Sequence, residues 1–463
     1  MTEFLATTQV EPGISAPSSA GPSAAVSTLG CKVNTYESNL IAQGLSQEGW
    51  RLVDDRKKAD LYVINSCTVT AEADRQTRQQ VRKVLKRNPN AVVVVTGCYA
   101  QVNAAALAAI DGVRLVVGND RKLAIPQITR DVVRGQGVEV MVGALDGGAD
   151  IGSTPLSGFR DRSRAFVQVQ QGCDQACTFC VIHTARGPSR SFNYHEILNQ
   201  VAKLISTGFR EIVICGVDLG AYGLDLPGGT TTETGQGLVH LLEGIGTVAG
   251  DFRVRLSSID PVHVSNGLLQ LMKNDPRMCP YLHVSMQSGN SLILKRMKRR
   301  YDATYLYECL SAAREKIPDL VLGADVMVGF PTESIDQFAD TLAAIRDLEI
   351  AFPHVFTYSP RPGTPAAKIP KQIPNIERRR RSAVLRAAGR EILDRSLKSW
   401  TGRRSVVLLE RAVGKGDLGH NARLANYMPV RIDPQGKAPG RFLDAVVTGV
   451  DNGGLIAEAV RRE

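Results

Sequence analysis

Between residues 160 and 375, short apolar runs alternate six times with amphipathic stretches of helical length. The runs fall at 165–170, 211–215, 252–257, 281–286, 321–328 and 352–358, with helical stretches such as 194–207 and 334–348 between them. Repeated strand–helix alternation of this kind specifies α/β architecture with a parallel sheet. Six β/α units predict a barrel-like sheet, open or closed, in which the loops after the strands carry the chemistry. Residues 23–145 repeat the alternation on a smaller scale, with runs at 26–29, 61–64, 91–96 and 115–117 and helices at 36–48 and 71–87. They predict a small parallel α/β domain of their own. Residues 143–158 hold Gly and Asp and read as a linker, set at 146–159 between the two blocks.

A basic helix over 376–400 ends the central block (160–400) and leads to residues 401–463. There, short runs at 405–410, 427–432, 442–450 and 455–459 predict a small antiparallel barrel, a format often used to hold single-stranded nucleic acid. Residues 1–22 are rich in Ser, Ala, Pro and Gly and read as a disordered tail. The first 31 residues hold no Lys or Arg, so neither a secretory nor a transit signal is legible, and no apolar run approaches a membrane span. The expected compartment is the cytoplasm. Nine cysteines in such a chain point to metal or redox use rather than disulfides.

The net charge of +10 is clustered. Arg378, Arg379, Arg380 and Arg381 stand in a row on the basic helix; Lys295, Arg296, Lys298, Arg299 and Arg300 form a second group. Arg75, Arg78, Arg82, Lys83, Lys86 and Arg87 lie on a third helix. One such run is usually a solvated face; three favour a nucleic-acid partner.

The segment from Gly172 to Cys180 places Cys173, Cys177 and Cys180 at x3 then x2 spacing, directly after the first strand of the central block. Three thiolates can hold a four-iron cluster and leave one iron open, where four would close it. Zinc is the rival reading, since His183 follows Cys180 by three residues and Cys3His is a legitimate zinc set. Cys31, Cys67 and Cys98 each follow one of the first three strands of the amino-terminal block. Strand ends of a parallel sheet share one edge, so these three can converge on a second cluster, or remain three separate buried cysteines. Cys215, Cys279 and Cys309 show no common spacing and read as packing residues.

Both triads, the block order and the local words resemble the radical S-adenosylmethionine methylthiotransferases over nearly the whole chain from about residue 23. The resemblance implies an amino-terminal cluster domain, a partial TIM-like (β/α)6 radical domain and a carboxy-terminal TRAM barrel that binds RNA. It implies two [4Fe–4S] clusters: an auxiliary one on Cys31, Cys67 and Cys98, and a radical-generating one on Cys173, Cys177 and Cys180. The word from Thr28 to Ser38, with Gly30-Cys31-Lys32-Val33-Asn34 at its centre, resembles the branch acting on N6-threonylcarbamoyladenosine in tRNA, and the word from Ala185 to Ser191 also suits that branch. Isopentenyladenosine in tRNA and a ribosomal protein are the substrates of the neighbouring branches. His183 departs from the proline common in the family after the third cysteine.

For S-adenosylmethionine, the stretch from Cys215 to Gly220 resembles the family's motif near the amino group, which makes Gly216 and Asp218 candidates. Ser257, Gln287 and Asp325, expected at the ends of later strands, are candidates for ribose or carboxylate contacts. The implied reaction replaces the C–H at carbon 2 of adenine with C–SCH3. That hydrogen is not usefully acidic, so homolysis supplied by the cofactor is required. The implied partners are a tRNA anticodon stem-loop, gripped by Arg378, Arg379, Arg380 and Arg381 and the terminal barrel, and a flavodoxin- or ferredoxin-type electron donor. No membrane partner is expected, and the oligomeric state is open. From a different class, a zinc-stabilised RNA-binding protein without catalysis fits the charge but not the six-cysteine layout.

Overall fold

The computed structural model describes residues 21–132, 137–145, 155–159, 162–226, 236–412 and 419–460. The expected tail therefore lies almost wholly outside the described residues, as does most of the expected linker. Residues 155–159 are described and are no free connector. Leu156 and Phe159 are buried, and Leu156 N donates to Gln200 Oε1 at 2.6 Å.

The first sheet holds six parallel strands in the order Arg51–Leu52, Ser23–Thr28, Leu61–Ser66, Val92–Gly97, Val113–Val117 and Glu139–Met141. The central strands are buried on both faces, which is why they read as continuous Val and Ile runs rather than alternating ones. The two edge strands are two and three residues long, too short to register as apolar runs. Helix Ala71–Arg87 starts where the Thr70 hydroxyl accepts from Ala73 N, and it carries Glu72 and Asp74 in its first turn and Lys86 and Arg87 in its last. Both ends thus match the helix dipole.

Six parallel strands also form the central domain: Ala165–Gln168, Glu211–Cys215, Arg253–Ile259, Tyr281–Gln287, Val321–Val328 and Ile350–Thr357. The third is interrupted at Ser257. Its first half, Arg253–Leu256, pairs with Glu211–Cys215, and its second, Ser258–Ile259, pairs with Tyr281–Gln287. The array is an open (β/α)6 partial barrel. The basic helix, Asn375–Lys398, packs on the last strand, and a Cβ on Gly389 would stand 2.4 Å from the Pro353 ring, so glycine permits that approach.

The carboxy-terminal strands close a five-stranded barrel, Arg404–Ala412, His420–Arg423, Pro429–Ile432, Gly454–Ala459 and Phe442–Asp451. The four-residue strand His420–Arg423 escaped the sequence reading, and closure is not wholly antiparallel, because Pro429–Ile432 runs parallel to Gly454–Ala459. This barrel shares one hydrophobic core with the central domain. A polar layer reinforces the junction. Glu211 accepts from Arg253 and Arg255, whose guanidinium groups donate to the carbonyls of Arg423 (3.1 Å) and Leu424 (3.5 Å). Tyr427 stacks on Tyr281 at 4.9 Å.

Candidate functional site

The ends of three amino-terminal strands lie together on one sheet edge, as parallel order requires. Cys31 opens helix Lys32–Gln47, Cys67 ends the run of Leu61–Ser66, and Cys98 opens the short helix after Val92–Gly97. Cys67 and Cys98 are buried and Cys31 is exposed. Burial and then the charge of Cys98 push the Cys67 thiol up to about 12, with Cys31 adding to the rise. The three sulfurs therefore stand close enough to feel one another. Gly30 is part of the reason they can. At φ +95°, its missing side chain leaves the space 2.7 Å from Cys67 Cβ.

Cys173, Cys177 and Cys180 share the loop after Ala165–Gln168. Burial, then Asp218, then the other two sulfurs push Cys173 up to about 12. Burial carries Cys180 to about 11. The helix that follows it meets the Cys98 segment through Asn119, whose Nδ2 donates to the Ala185 carbonyl at 2.6 Å, so the two triads face one another.

A neutral thiol needs no donors, whereas a thiolate does, and each of these sulfurs has one: the backbone amides of Asn34 and Val69 serve Cys31 and Cys67. Arg299 Nη1 donates to Cys177 Sγ at 3.3 Å, and the amides of Gln175 and Ile182 reach Cys173 and Cys180 at 3.4 Å each. Arg186 Nε donates to Cys98 Sγ at 3.2 Å, with Asn119 Nδ2 at 3.9 Å. Iron supplies the positive charge that would turn such thiols into thiolates. Among the described residues, the one group of three His, Cys, Asp or Glu with ligand atoms within 4.8 Å contains no cysteine. A cube takes its thiolates at separate corners. Three thiols with donors on them fit a cluster. His183 itself is exposed and lines a cavity of about 450 Å³ beside Cys173–Ala176.

Arg186 is the residue that sequence reasoning passed over. It is 1% exposed, and besides Cys98 its guanidinium donates to Glu37 (2.5 and 3.0 Å), Asn34 (2.5 Å) and Gln171 (2.8 Å). It rises from the helix after the second triad and ends against a ligand candidate of the first. Gln170 does similar work for the cofactor loop. Its Oε1 accepts from Val217 N (2.9 Å) and Asp218 N (2.8 Å), while its Nε2 donates to the Gly172 carbonyl at 2.9 Å. Nothing in their spacing marks these two, because the partners that matter most, Glu37 and Cys98 for Arg186 and Val217 and Asp218 for Gln170, lie on other elements.

The candidate cofactor contacts separate. Gly216 is tightly enclosed, since a Cβ would stand 3.0 Å from Gln170 Oε1 and 3.2 Å from Leu219 Cα. Asp218 is buried beside Cys173 Sγ (4.0 Å); burial raises its pKa, but His263 and Arg300 bring it below the ordinary value. Ser257 is buried in the strand break, and Gln287 ends its strand half-buried at φ +60°. Asp325 corrects the expectation. It lies in mid-strand, not at a strand end, and its carboxylate is engaged by His283, His354 and Ser258.

The row of arginines also needs correction. Arg381 is buried, held by Glu333 (2.5 Å) and Glu377 (2.8 Å), and reaches no phosphate from there. Arg378 is half-buried and donates to the carbonyls of Ile373 and Tyr358. Arg379 and Arg380 face solvent, Arg380 paired with Glu377. The period of 3.6 residues guarantees such a split: four consecutive residues circle the helix. In the second cluster Arg299 likewise turns inward, to Asp260 and Cys177. An Arg381→Ala substitution should cost about 3–5 kcal/mol by stranding buried Glu333. Arg379→Ala should stay within about 0.5 kcal/mol. Urea denaturation of both variants checks the contrast.

Comparison with known proteins now decides the family. Residues 23–118 match the uncharacterized protein family UPF0004, and residues 167–345 match the radical SAM superfamily. The threonylcarbamoyladenosine tRNA methylthiotransferase MtaB of Rickettsia prowazekii is 37% identical over 92% of this chain and 95% of its own. The chain belongs to the radical S-adenosylmethionine methylthiotransferases, in the MtaB branch. The MtaB of Thermotoga maritima is 35% identical over 85% of this chain and 88% of its own. The tRNA-2-methylthio-N(6)-dimethylallyladenosine synthase of Rickettsia rickettsii is more distant, at 29% over 94% and 98%. Among solved structures, the radical S-adenosylmethionine methyltransferase TsrM of Kitasatospora setae superposes with a TM-score of 0.54 at 13% identity, covering 75% of this chain and 74% of that one, which shows the shared fold. As a methylthiotransferase the protein is an enzyme whose cofactors are S-adenosylmethionine and [4Fe–4S] clusters.

Proposed function

We propose that this methylthiotransferase converts N6-threonylcarbamoyladenosine at position 37 of tRNA to its 2-methylthio derivative. The observation that carries the reading is the identity to MtaB relatives, 37% and 35%, against 29% for the dimethylallyladenosine synthase, over comparable lengths. The two facing triads support it, because sulfur insertion needs both a radical source and a sulfur source against one base. Cys173, Cys177 and Cys180 would hold the radical-generating cluster and Cys31, Cys67 and Cys98 the auxiliary one. When bound, the clusters with S-adenosylmethionine supply the homolysis and the sulfur.

The chain's own residues hold, orient and exclude. Gln170 locks the Gly216–Asp218 loop to the cluster loop, so a ligand resting on both is held by one rigid unit. Asp218, kept ionised beside Cys173, suits the ammonium of an amino acid group. Arg299 at Cys177 and Arg186 at Cys98 would compensate thiolate charge, one at each triad.

A base must leave its stack to enter, which favours an anticodon loop over a duplex. Arg379 and Arg380, with exposed Arg82, Lys83 and Lys86 of Ala71–Arg87, are the cations placed to meet its phosphates. Binding should then weaken steeply with salt, and each removed phosphate contact should lower the salt slope by about one. A flavodoxin- or ferredoxin-type protein would deliver the electron. No described helix is long and apolar enough to cross a membrane, and a tRNA substrate supports a cytoplasmic setting.

Nucleosides from the tRNA of a deletion strain test the reading. The 2-methylthio form of threonylcarbamoyladenosine should vanish and its precursor accumulate, with rescue by the intact gene and none by Cys98→Ala. Loss of methylthio-isopentenyladenosine instead would transfer the protein to the neighbouring branch.

A further inference from the structure

The inner face of the central strand array carries a group that the chemistry above leaves unused. Side chains alternate along a strand. Tyr281, His283, Ser285 and Gln287 therefore share one face, while Leu282, Val284 and Met286, all fully buried, pack on the other. On the next strand Asp325 takes the inner face, and the register sets it directly beside His354. His283 Nε2 lies 3.1 Å from Asp325 Oδ1, and His354 Nδ1 lies 3.5 Å from the same oxygen. All three ligand atoms lie within 4.8 Å of one another.

Two imidazoles and a carboxylate converging on one point form a donor set for a divalent first-row metal ion. Ligands bound at about 2.0–2.2 Å to one ion stand roughly 3–3.5 Å apart, and the two contacts to Asp325 fall in that range. The surroundings are built as an outer shell would be. Metal-bound imidazoles have their second nitrogen held, and His283 Nδ1 lies 3.1 Å from Tyr281 Oη. The second oxygen of Asp325 accepts from Ser258 Oγ at 3.2 Å. Gly323 clears the space: a Cβ there would stand 2.5 Å from His283 Nδ1 and 2.4 Å from Tyr281 Oη. The two imidazole rings are tilted by 46° with centroids 4.5 Å apart, so they converge rather than stack. Only His354 is well exposed, which leaves the group open on one side.

We propose that His283, Asp325 and His354 bind a divalent transition-metal ion of the zinc or iron(II) class, distinct from both cysteine triads. Three protein ligands leave coordination positions for water or for an oxygen of a bound substrate.

The test adds cobalt(II) to cluster-loaded, full-length protein under anaerobic conditions, removes unbound ion by gel filtration, and measures retained cobalt and its visible spectrum. With six thiols engaged by iron, about one cobalt per chain is expected, with weak ligand-field bands characteristic of nitrogen and oxygen donors. His354→Ala, whose side chain is exposed and whose loss leaves the core intact, and Asp325→Ala should each weaken retention by at least about tenfold. His195→Ala, altering an exposed histidine elsewhere, should leave it unchanged. No retained cobalt, equal retention in His354→Ala, or intense sulfur-to-cobalt charge transfer would overturn the proposal and leave a hydrogen-bonded trio.

Discussion

The Cys173→Ala/Cys177→Ala/Cys180→Ala protein, reconstituted anaerobically, will hold about four irons per chain where the parent holds about eight. It will release no 5′-deoxyadenosine from S-adenosylmethionine under dithionite. The reciprocal Cys31→Ala/Cys67→Ala/Cys98→Ala protein will also hold about four irons, yet will still cleave S-adenosylmethionine without transferring sulfur. Iron and sulfide counts, with chromatography of the nucleoside product, decide both. The physical ground is the separation of the triads onto two sheets: each loop is positioned by its own strands, so emptying one leaves the other's donors in place. A single iron site, or zinc in place of iron, would defeat the two-cluster reading.

Replacing Arg186 with alanine will cost about 3–5 kcal/mol, because it breaks a fully buried ion pair and leaves Lys122 as the one cation on Glu37, with Asn34 and Gln171 losing their donor. The effect carries its own pH signature. Burial pushes the Glu37 carboxyl up, but the charges of Arg186 and then Lys122 more than offset this and bring it to about 2, below its ordinary 4.5. A depressed pKa means stability present in full above the ordinary value and lost as pH falls towards the folded one. The parent should therefore lose stability from about pH 5 down to about pH 2, whereas Arg186→Ala should show a shallower slope, the part that Lys122 alone sustains. Urea midpoints at pH 7 and pH 3.5 measure it, and the gap between the two proteins should narrow at the lower pH. Arg186→Lys should recover the charge but not the fork that meets Glu37, Asn34 and Cys98 together, so its midpoint should fall between them.

Strand placement was legible because periodicity is a local property. The runs at 211–215 and 321–328 coincide with strands. Cys31, Cys67 and Cys98 could be grouped from sequence because parallel order alone sends strand ends to one edge. What was not legible depends on contacts between elements. Arg186 stood in a matched word without a visible role, since its partners Glu37 and Cys98 lie 149 and 88 residues away. Arg381 looked like a phosphate contact because a run of arginines says nothing about which one faces Glu333. Asp325 was assigned to a strand end, although the register that pairs it with His354 sets it in the middle. Short edge strands were lost for a simpler reason: two or three residues carry no period.

The junction between the central domain and the carboxy-terminal barrel bears on how such an enzyme can change over generations. Buried Arg253 and Arg255 place guanidinium donors on backbone carbonyls of the small barrel, and Arg164 meets Glu410 at 3.0 Å. A foreign RNA-binding module fused at residue 401 would inherit those cations without the groups that answer them. Recombination at this seam is thus penalised unless both sides are exchanged together. The two parts should descend as a pair, with new substrate preference arising by loop substitution rather than by swapping modules.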